Sequence, residues 1–191
     1  MLLLIMAEEA ARARRALPAE QGERLLAAIG RGDAAAFEEF YRAAGTMVYA
    51  FALSLTRDHQ DAQDVMMETF LHVRTGAAHY KPAGKPMAWV FTIARNAFYQ
   101  QQRARGREAP QEAPAAPALP VDDTDRRDDA IVLRQAMQVL DSRERQIVVL
   151  HAVSGLRHRE IAQVMGMPLS TVLSKYTRAL HKLRKNLTEE V

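Results

Sequence analysis

Apolar residues recur along this chain at steps of three and four, and no stretch alternates apolar with polar positions between turn pairs. The pattern predicts an all-α protein. Leu25, Leu26 and Ile29 mark a short helix closed by Gly30 and Gly32, and Asp33 then stands where it would cap a long one. On that long helix Phe37, Phe40, Tyr41, Ala44, Val48, Phe51 and Leu55 make one apolar stripe. A third helix is predicted from Asp61 to Arg74, with Ala62, Val65, Thr69, Phe70 and Val73 inward and Asp61, Asp64 and Glu68 outward. Gly76, Pro82, Gly84 and Pro86 punctuate a loop, and Pro86 suits the first turn of a fourth helix carrying Val90, Ile93, Ala94 and Ala97. Four helices of this size can bury one compact bundle.

The pattern then breaks. Pro110, Pro114, Pro117 and Pro120 each lack an amide donor and restrict the residue before them, so Glu108 to Val121 cannot be one helix. The predicted organisation is an extension over residues 1–20, a helical unit over 21–107, a Pro/Ala-rich acidic linker over 108–127 and a second helical unit over 128–191. In that second unit Leu133, Ala136, Met137 and Leu140 mark one helix. Asp141 with Glu144 three residues on is the signature of a capping box for the next, which carries Ile147, Leu150 and Val153. Gly155 stops it; Glu160, Ile161, Ala162 and Met165 lie on a short helix ended by Gly166, and Pro168 permits a sharp turn into the last.

Composition narrows the class. With 48% apolar residues in a chain of 191, ordinary cores can form, and the absence of cysteine excludes disulfides and thiolate metal sites and fits a reducing cytoplasm. The apolar opening Met1 to Met6 meets Glu8, Glu9, Arg12, Arg14 and Arg15 at once, far short of the ~20 residues of a membrane span and in the wrong order for a secretory signal. A net charge of +3 and a pI near 9.4 leave an anionic partner open. Cations gather at Arg103, Arg105 and Arg107 and again from Lys175 to Lys185, flanking an acidic island at Asp122, Asp123, Asp125, Asp128 and Asp129.

On the final helix Val172, Tyr176, Ala179, Leu180, Leu183 and Leu187 form an inward stripe, with Thr171, Lys175, Arg178, Lys182 and Lys185 expected on the opposite side. A short helix, a glycine turn and a second helix headed by Ser170, Thr171 and Ser174 is the arrangement that brings polar side chains to base edges in the major groove. Cations further along would meet phosphates. A basic stripe alone is equally well a solvated amphipathic face; the glycine turn and the helices before it shift the balance toward DNA.

Leu140 to Leu187, LDSRERQIVVLHAVSGLRHREIAQVMGMPLSTVLSKYTRALHKLRKNL, resembles region 4 of the sigma-70 family, in its extracytoplasmic-function group. Independently, DAQDVMMETFLHV from Asp61 to Val73 resembles region 2.2, and AWVFTIARNAFYQQQR from Ala88 to Arg103 resembles regions 2.3 and 2.4. The two halves occur in the family's order, over about Gly22 to Leu187. Ile93-Ala94-Arg95-Asn96 after Trp89 is fairly specific, whereas a helix-turn-helix is shared with many regulators.

The resemblance implies a transcription initiation factor that binds core RNA polymerase, recognises promoter DNA and helps melt it. It implies that the region 2.2 helix docks on the clamp helices of the β′ subunit, through Asp61, Asp64, Met67 and Glu68, and that the β subunit is also contacted. It implies a minus-10 reader built from Lys81, Ala83, Gly84 and Lys85 with Arg95, Asn96, Tyr99 and Arg103, where Asn96 lines a pocket for an extruded base. Trp89 and Phe91 could stack on bases, although aromatics at helical spacing are more often core; Tyr99 is expected to be exposed. The minus-35 reader would comprise Arg157, Ser170, Thr171, Ser174, Lys175, Arg178 and Lys182. An anti-sigma factor that hides both surfaces is a further implied partner, and the acidic linker would thread the polymerase cleft; by composition alone it is equally a soluble tether.

Some positions depart from the family pattern: Met67 stands for a usual Gln and Gln100 for a usual acid. The head of the recognition helix has Ser170-Thr171-Val172-Leu173-Ser174-Lys175 for the usual Gly-Thr-Val-Lys-Ser-Arg, and Arg157 holds a position where a hydroxyl often caps. Lysine meets phosphate as a point charge without the arginine fork, so altered minus-35 recognition is expected. The histidines form no metal-ligand spacing, with His72 and His79 across a helix end and His151 and His158 astride a turn. Neither a phosphate-binding glycine loop nor a nucleophile motif is present, so no cofactor and no catalysis are expected. The competing readings are a free-standing regulator dimerising through its N-terminal bundle and a helical enzyme with a DNA-binding tail.

Overall fold

The computed structural model describes residues 17–106 and 137–189. The predicted linker, its acidic island, Arg107, Leu133, Ala136 and most of the 1–20 extension lie outside them. Among the described residues there are α-helices and no strands: α1 (Ala19–Gly30), α2 (Ala34–Thr56), α3 (His59–Gly76), α4 (Pro86–Ala104), α5 (Ser142–Val148), α6 (His158–Met165) and α7 (Leu169–Glu189).

Local chemistry sets the boundaries. The Asp33 carboxylate accepts the amide of Ala36 at 3.0 Å, and Asp58 does the same for Asp61 at 2.9 Å. That second cap starts α3 two residues before the predicted Asp61. Pro86 occupies the first turn of α4. The Asp141–Glu144 capping box is complete: the Glu144 amide donates to Asp141 at 2.7 Å and the Asp141 amide to Glu144 at 3.0 Å. Gly166 ends α6 at φ 62°, a left-handed conformation that glycine adopts without a Cβ penalty. The structure adds one feature that spacing did not indicate. After Val148 the helix widens into a π turn over Val149–Val153 before Gly155 breaks it.

α1 to α4 pack as the predicted bundle. Leu26, Phe40, Val48, Phe51, Val65, Val73, Val90 and Phe91 are fully inaccessible. Phe51 and Phe91 meet edge to face at 5.3 Å, which places Phe91 in the core and away from any base. Tyr41, assigned to the buried stripe of α2, is 41% exposed, because Phe70 of α3 already fills the space beside it at 4.7 Å. The two halves also share a core instead of standing apart. Ile147, Leu150, Ile161, Val164, Met165 and Val172 belong to the same apolar cluster as the bundle, with α6 against α4, and α5 and its π turn against α2.

Candidate nucleic-acid interface

The loop between α3 and α4 is built on a residue that spacing did not single out. Glu23 of α1 accepts the amide of Ala83 at 2.9 Å and the Tyr80 hydroxyl at 3.2 Å, and it also accepts the amide of Gly84. Gly84 sits at φ 69°, so the loop needs glycine there to turn both amides onto one carboxylate. Burial, then the Glu23 charge and its hydrogen bond, raise the Tyr80 phenol above its ordinary value, so it stays a neutral donor. Tyr80 in turn packs, with its ring tilted, at 4.9 Å from the half-buried Trp89. Trp89 is thus a packing residue under the loop.

The loop leaves Lys81, Ala83 and Gly84 exposed and Lys85 half-buried, directly before α4. On α4 Asn96 is exposed, while its neighbours Ala97 and Phe98 are buried. Arg95 lays its guanidinium over the Tyr99 ring at 4.7 Å. Tyr99 was expected to be exposed; it is half-buried, since Phe98 crosses it edge to face at 5.2 Å and Arg95 covers it. Arg103 is exposed and donates from Nε to the Tyr99 carbonyl at 3.3 Å.

Along α3, Asp64 and Met67 are exposed and Asp61 and Glu68 half-exposed, and Met67 at 61% continues into Leu71 at 55%. Arg105, one of the cations that gather at the end of α4, reaches Asp61 at 2.7 Å and Asp64 at 4.0 Å. Its hydrogen bond to Asp61 and the surrounding carboxylates hold its charge more firmly than usual. Glu68 pairs with His72 at 3.5 Å.

The outward stripe expected on α7 requires a correction. Thr171, Lys175, Arg178, Lys182 and Lys185 were expected to share one outward stripe, but the exposed line runs through Ser170, Leu173, Ser174, Thr177, Arg178, His181, Arg184 and Lys185. Lys175 has only 17% of its side chain exposed and binds Asp141 at 3.2 Å; Lys182 binds Glu144 at 2.7 Å. Both ammonium groups fold onto the capping box of α5, and Thr171 is half-buried. Burial alone would raise the Asp141 carboxyl; the Glu144 amide and the Lys175 ammonium outweigh it and hold the carboxyl below its ordinary value. Arg157 starts α6 without a side-chain cap. Its amide donates to Glu160 at 2.7 Å, which leaves the guanidinium on the exposed surface.

Two of the histidines come together inside this unit. His151 of the π turn and His158 of α6 stack at 4.4 Å, and Tyr176 of α7 meets both edge on, at 4.9 and 4.8 Å. Among the described residues no group of three or more His, Asp or Glu side chains is placed to hold a metal ion.

Comparison with known proteins decides the family. The model of Sigma-70 region 2 matches residues 40–108, and that of Sigma-70, region 4 matches residues 130–183. The sigma factor CarQ of Myxococcus xanthus is 30% identical over 157 residues, covering 81% of this chain and 90% of CarQ. The chain belongs to the sigma-70 family. The extracytoplasmic-function (ECF) sigma factor SigE of Mycolicibacterium smegmatis is 32% identical over 168 residues, covering 83% of this sigma factor, which spans 65% of SigE's length. The solved structure of RpoE from Bartonella quintana, in complex with the anti-sigma factor NepR, superimposes with a TM-score of 0.60 at 27% identity, covering 79% of this sigma factor and 98% of RpoE. The protein is thus a transcription initiation factor of the ECF type, and the reading as a free-standing regulator is not favoured. No helix among the described residues is long and apolar enough to cross a membrane.

Proposed function

We propose that this sigma factor joins core RNA polymerase and reads a promoter with two separate surfaces. The observation that carries the proposal is the ordered pair of family regions on one chain, 40–108 and then 130–183. In this reading residues 21–107 form the polymerase- and minus-10-binding unit, 108–127 the tether, 128–191 the minus-35-binding unit and 1–20 an extension of separate role. Asp61, Asp64, Met67 and Glu68, with Leu71 beside them, dock on the β′ clamp helices, the acids steering toward a basic partner and the apolar pair supplying contact area. Arg105 competes for the same acids.

Lys81, Ala83, Gly84 and Lys85 form the wall of the minus-10 reader, with Asn96 offering an amide to the edge of an extruded base. The Arg95–Tyr99 stack supplies a flat cationic surface, and Arg103 meets the strand backbone. At the upstream element Ser170 and Ser174 face base edges, while Arg178 and Arg157 meet phosphates. Thr171, Lys175 and Lys182 act chiefly by orienting the helix. The protein performs no catalysis of its own, works in the cytoplasm and is held in check by an anti-sigma factor, the last supported by the RpoE complex.

Transcription in vitro with purified core enzyme and a promoter library tests this reading. Asn96→Ala should slow opening with selective loss at one melted position, and Arg178→Ala should weaken upstream binding about equally on all sequences. Protection of a palindrome by the protein alone, with no core-dependent transcription, would replace the proposal with a free-standing regulator.

A further inference from the structure

Among the described residues, the outer face of α7 carries one large apolar side chain. Leu173 is 44% exposed, and the exposed residues around it on that face, Ser170, Ser174 and Thr177, are all short and polar. The Ser174 hydroxyl is turned back to donate to the Thr171 carbonyl at 3.0 Å, which keeps that side chain close to the helix. The isobutyl group of Leu173 therefore stands proud of its surroundings. The nearby ammonium, that of Lys175, is bound to Asp141, and the next exposed cation of the helix, Arg178, comes more than a turn later.

These observations decide what kind of base edge the first turns of α7 can recognise. Guanine is most often read by a bidentate arginine or by lysine at O6 and N7, and the exposed residues of this face before Arg178 offer neither. Thymine alone presents a methyl group in the major groove, at C5, and an apolar side chain that meets it removes both from water. We propose that Leu173 is a specificity-determining residue that selects a thymine in the upstream promoter element through contact with the C5 methyl. The proposal rests on the reading of α7 as the helix that enters the major groove at that element.

The two can be tested apart with holoenzyme assembled from the full chain and core RNA polymerase. Selection from duplexes randomised upstream should yield a preferred element containing thymine, and single thymidines in it are then replaced by deoxyuridine, which lacks only the methyl. Uracil at one position should weaken binding about fourfold, the effect of one buried methyl group. Leu173→Ala should weaken binding to the thymine duplex to a similar extent and be indifferent to the uracil replacement, and Leu173→Met should restore the dependence. Leu173→Ala with wild-type sensitivity to uracil would overturn the proposal, as would equal losses on thymine and uracil duplexes, which would make Leu173 a protein-contact residue. If no upstream sequence is enriched at all, it is the placement of α7 in the groove that fails.

Discussion

The Lys182 ammonium reaches from the middle of the recognition helix to within 2.7 Å of Glu144, whose side chain is wholly inaccessible. The same carboxylate accepts the amide of Asp141, so one buried anion closes the capping box of α5 and anchors α7. Removing the cation leaves that charge without its counter-ion in a low-dielectric setting, which is costly although Lys182 itself is partly in water. Lys182→Ala should lower unfolding stability by about 1–3 kcal/mol, a figure reduced from that of fully buried pairs by this exposure. Its effect on upstream DNA affinity at low temperature should be smaller than that of Arg178→Ala. Denaturant midpoints and duplex binding separate the two roles; an unchanged midpoint with a large loss of binding would return Lys182 to the DNA-contacting set.

The fate of Lys182 shows where a linear reading stops. Asp33, Pro86, Asp141 with Glu144 and Gly166 were legible because caps are built from residues within one turn of each other. The two family regions were legible in the same way, as ordered local strings. Lys175 and Lys182 were assigned to the outer stripe because polarity and spacing say only that a lysine avoids the core. Their partners lie 34 and 38 residues earlier in the sequence. The Glu23 carboxylate meets the loop amides across 60 and 61 residues, and nothing in its own helix marks it out. Tyr99 was misplaced for a related reason, since the guanidinium that covers it adds no apolar signal to the pattern.

Glu23 yields a second prediction. Its carboxylate gathers Tyr80, Ala83 and Gly84, and so fixes the loop proposed to wall the melted-base pocket before DNA arrives. Without it the loop must be ordered at the moment of binding. Glu23→Ala should slow formation of the open complex about tenfold, the loss of roughly one charge-assisted hydrogen bond. Glu23→Gln, which keeps an acceptor, should fall between the variant and the wild type. Binding to the upstream element should be unaffected. Permanganate reactivity of the melted strand over time reads the rate directly, and wild-type opening by Glu23→Ala would show that the loop holds its shape unaided.

At the contact between the two halves, Arg57 ends α2 in the left-handed region at φ 58°, with its amide on the Leu53 carbonyl at 2.9 Å. Its charge also acts on Arg145 of α5, which is 8% exposed and, among the described residues, hydrogen-bonded to the carbonyls of Met137 and Leu140, with one terminal nitrogen unpartnered there. Burial, and after it the charge of Arg57, lower the Arg145 guanidinium to about 10. Glycine at position 57 would relieve the backbone and remove the repulsion together, against its larger chain entropy when unfolded. Arg57→Gly should therefore raise stability by about 0.5–1 kcal/mol and make the packed arrangement of the halves more compact in solution. Calorimetry and small-angle scattering measure the two effects; a destabilised or expanded variant would show that the Arg57 side chain supports the contact.

The stacked pair His151 and His158 should make the second helical unit sensitive to mild acid. His158 Nε2 is buried and has no hydrogen-bond partner, His151 spends Nδ1 on the Leu156 carbonyl at 2.9 Å, and Tyr176 closes the cluster from α7. Burial first, and the neighbouring His151 second, push the His158 imidazole below its ordinary value. The unfolded chain then binds more protons than the folded one once the pH drops below about 6.5, and stability rises with pH through that interval. Stability should be fully present above that value, decline as the pH falls below it, and level off beneath the lowered value of the folded state. Because Tyr176 lies on the recognition helix, upstream DNA binding should weaken over the same interval. His158→Phe keeps the ring contacts and removes the titrating group, so its melting temperature should lose the component below about pH 6.5 that the wild type shows. Parallel profiles for the two proteins would place the acid sensitivity elsewhere.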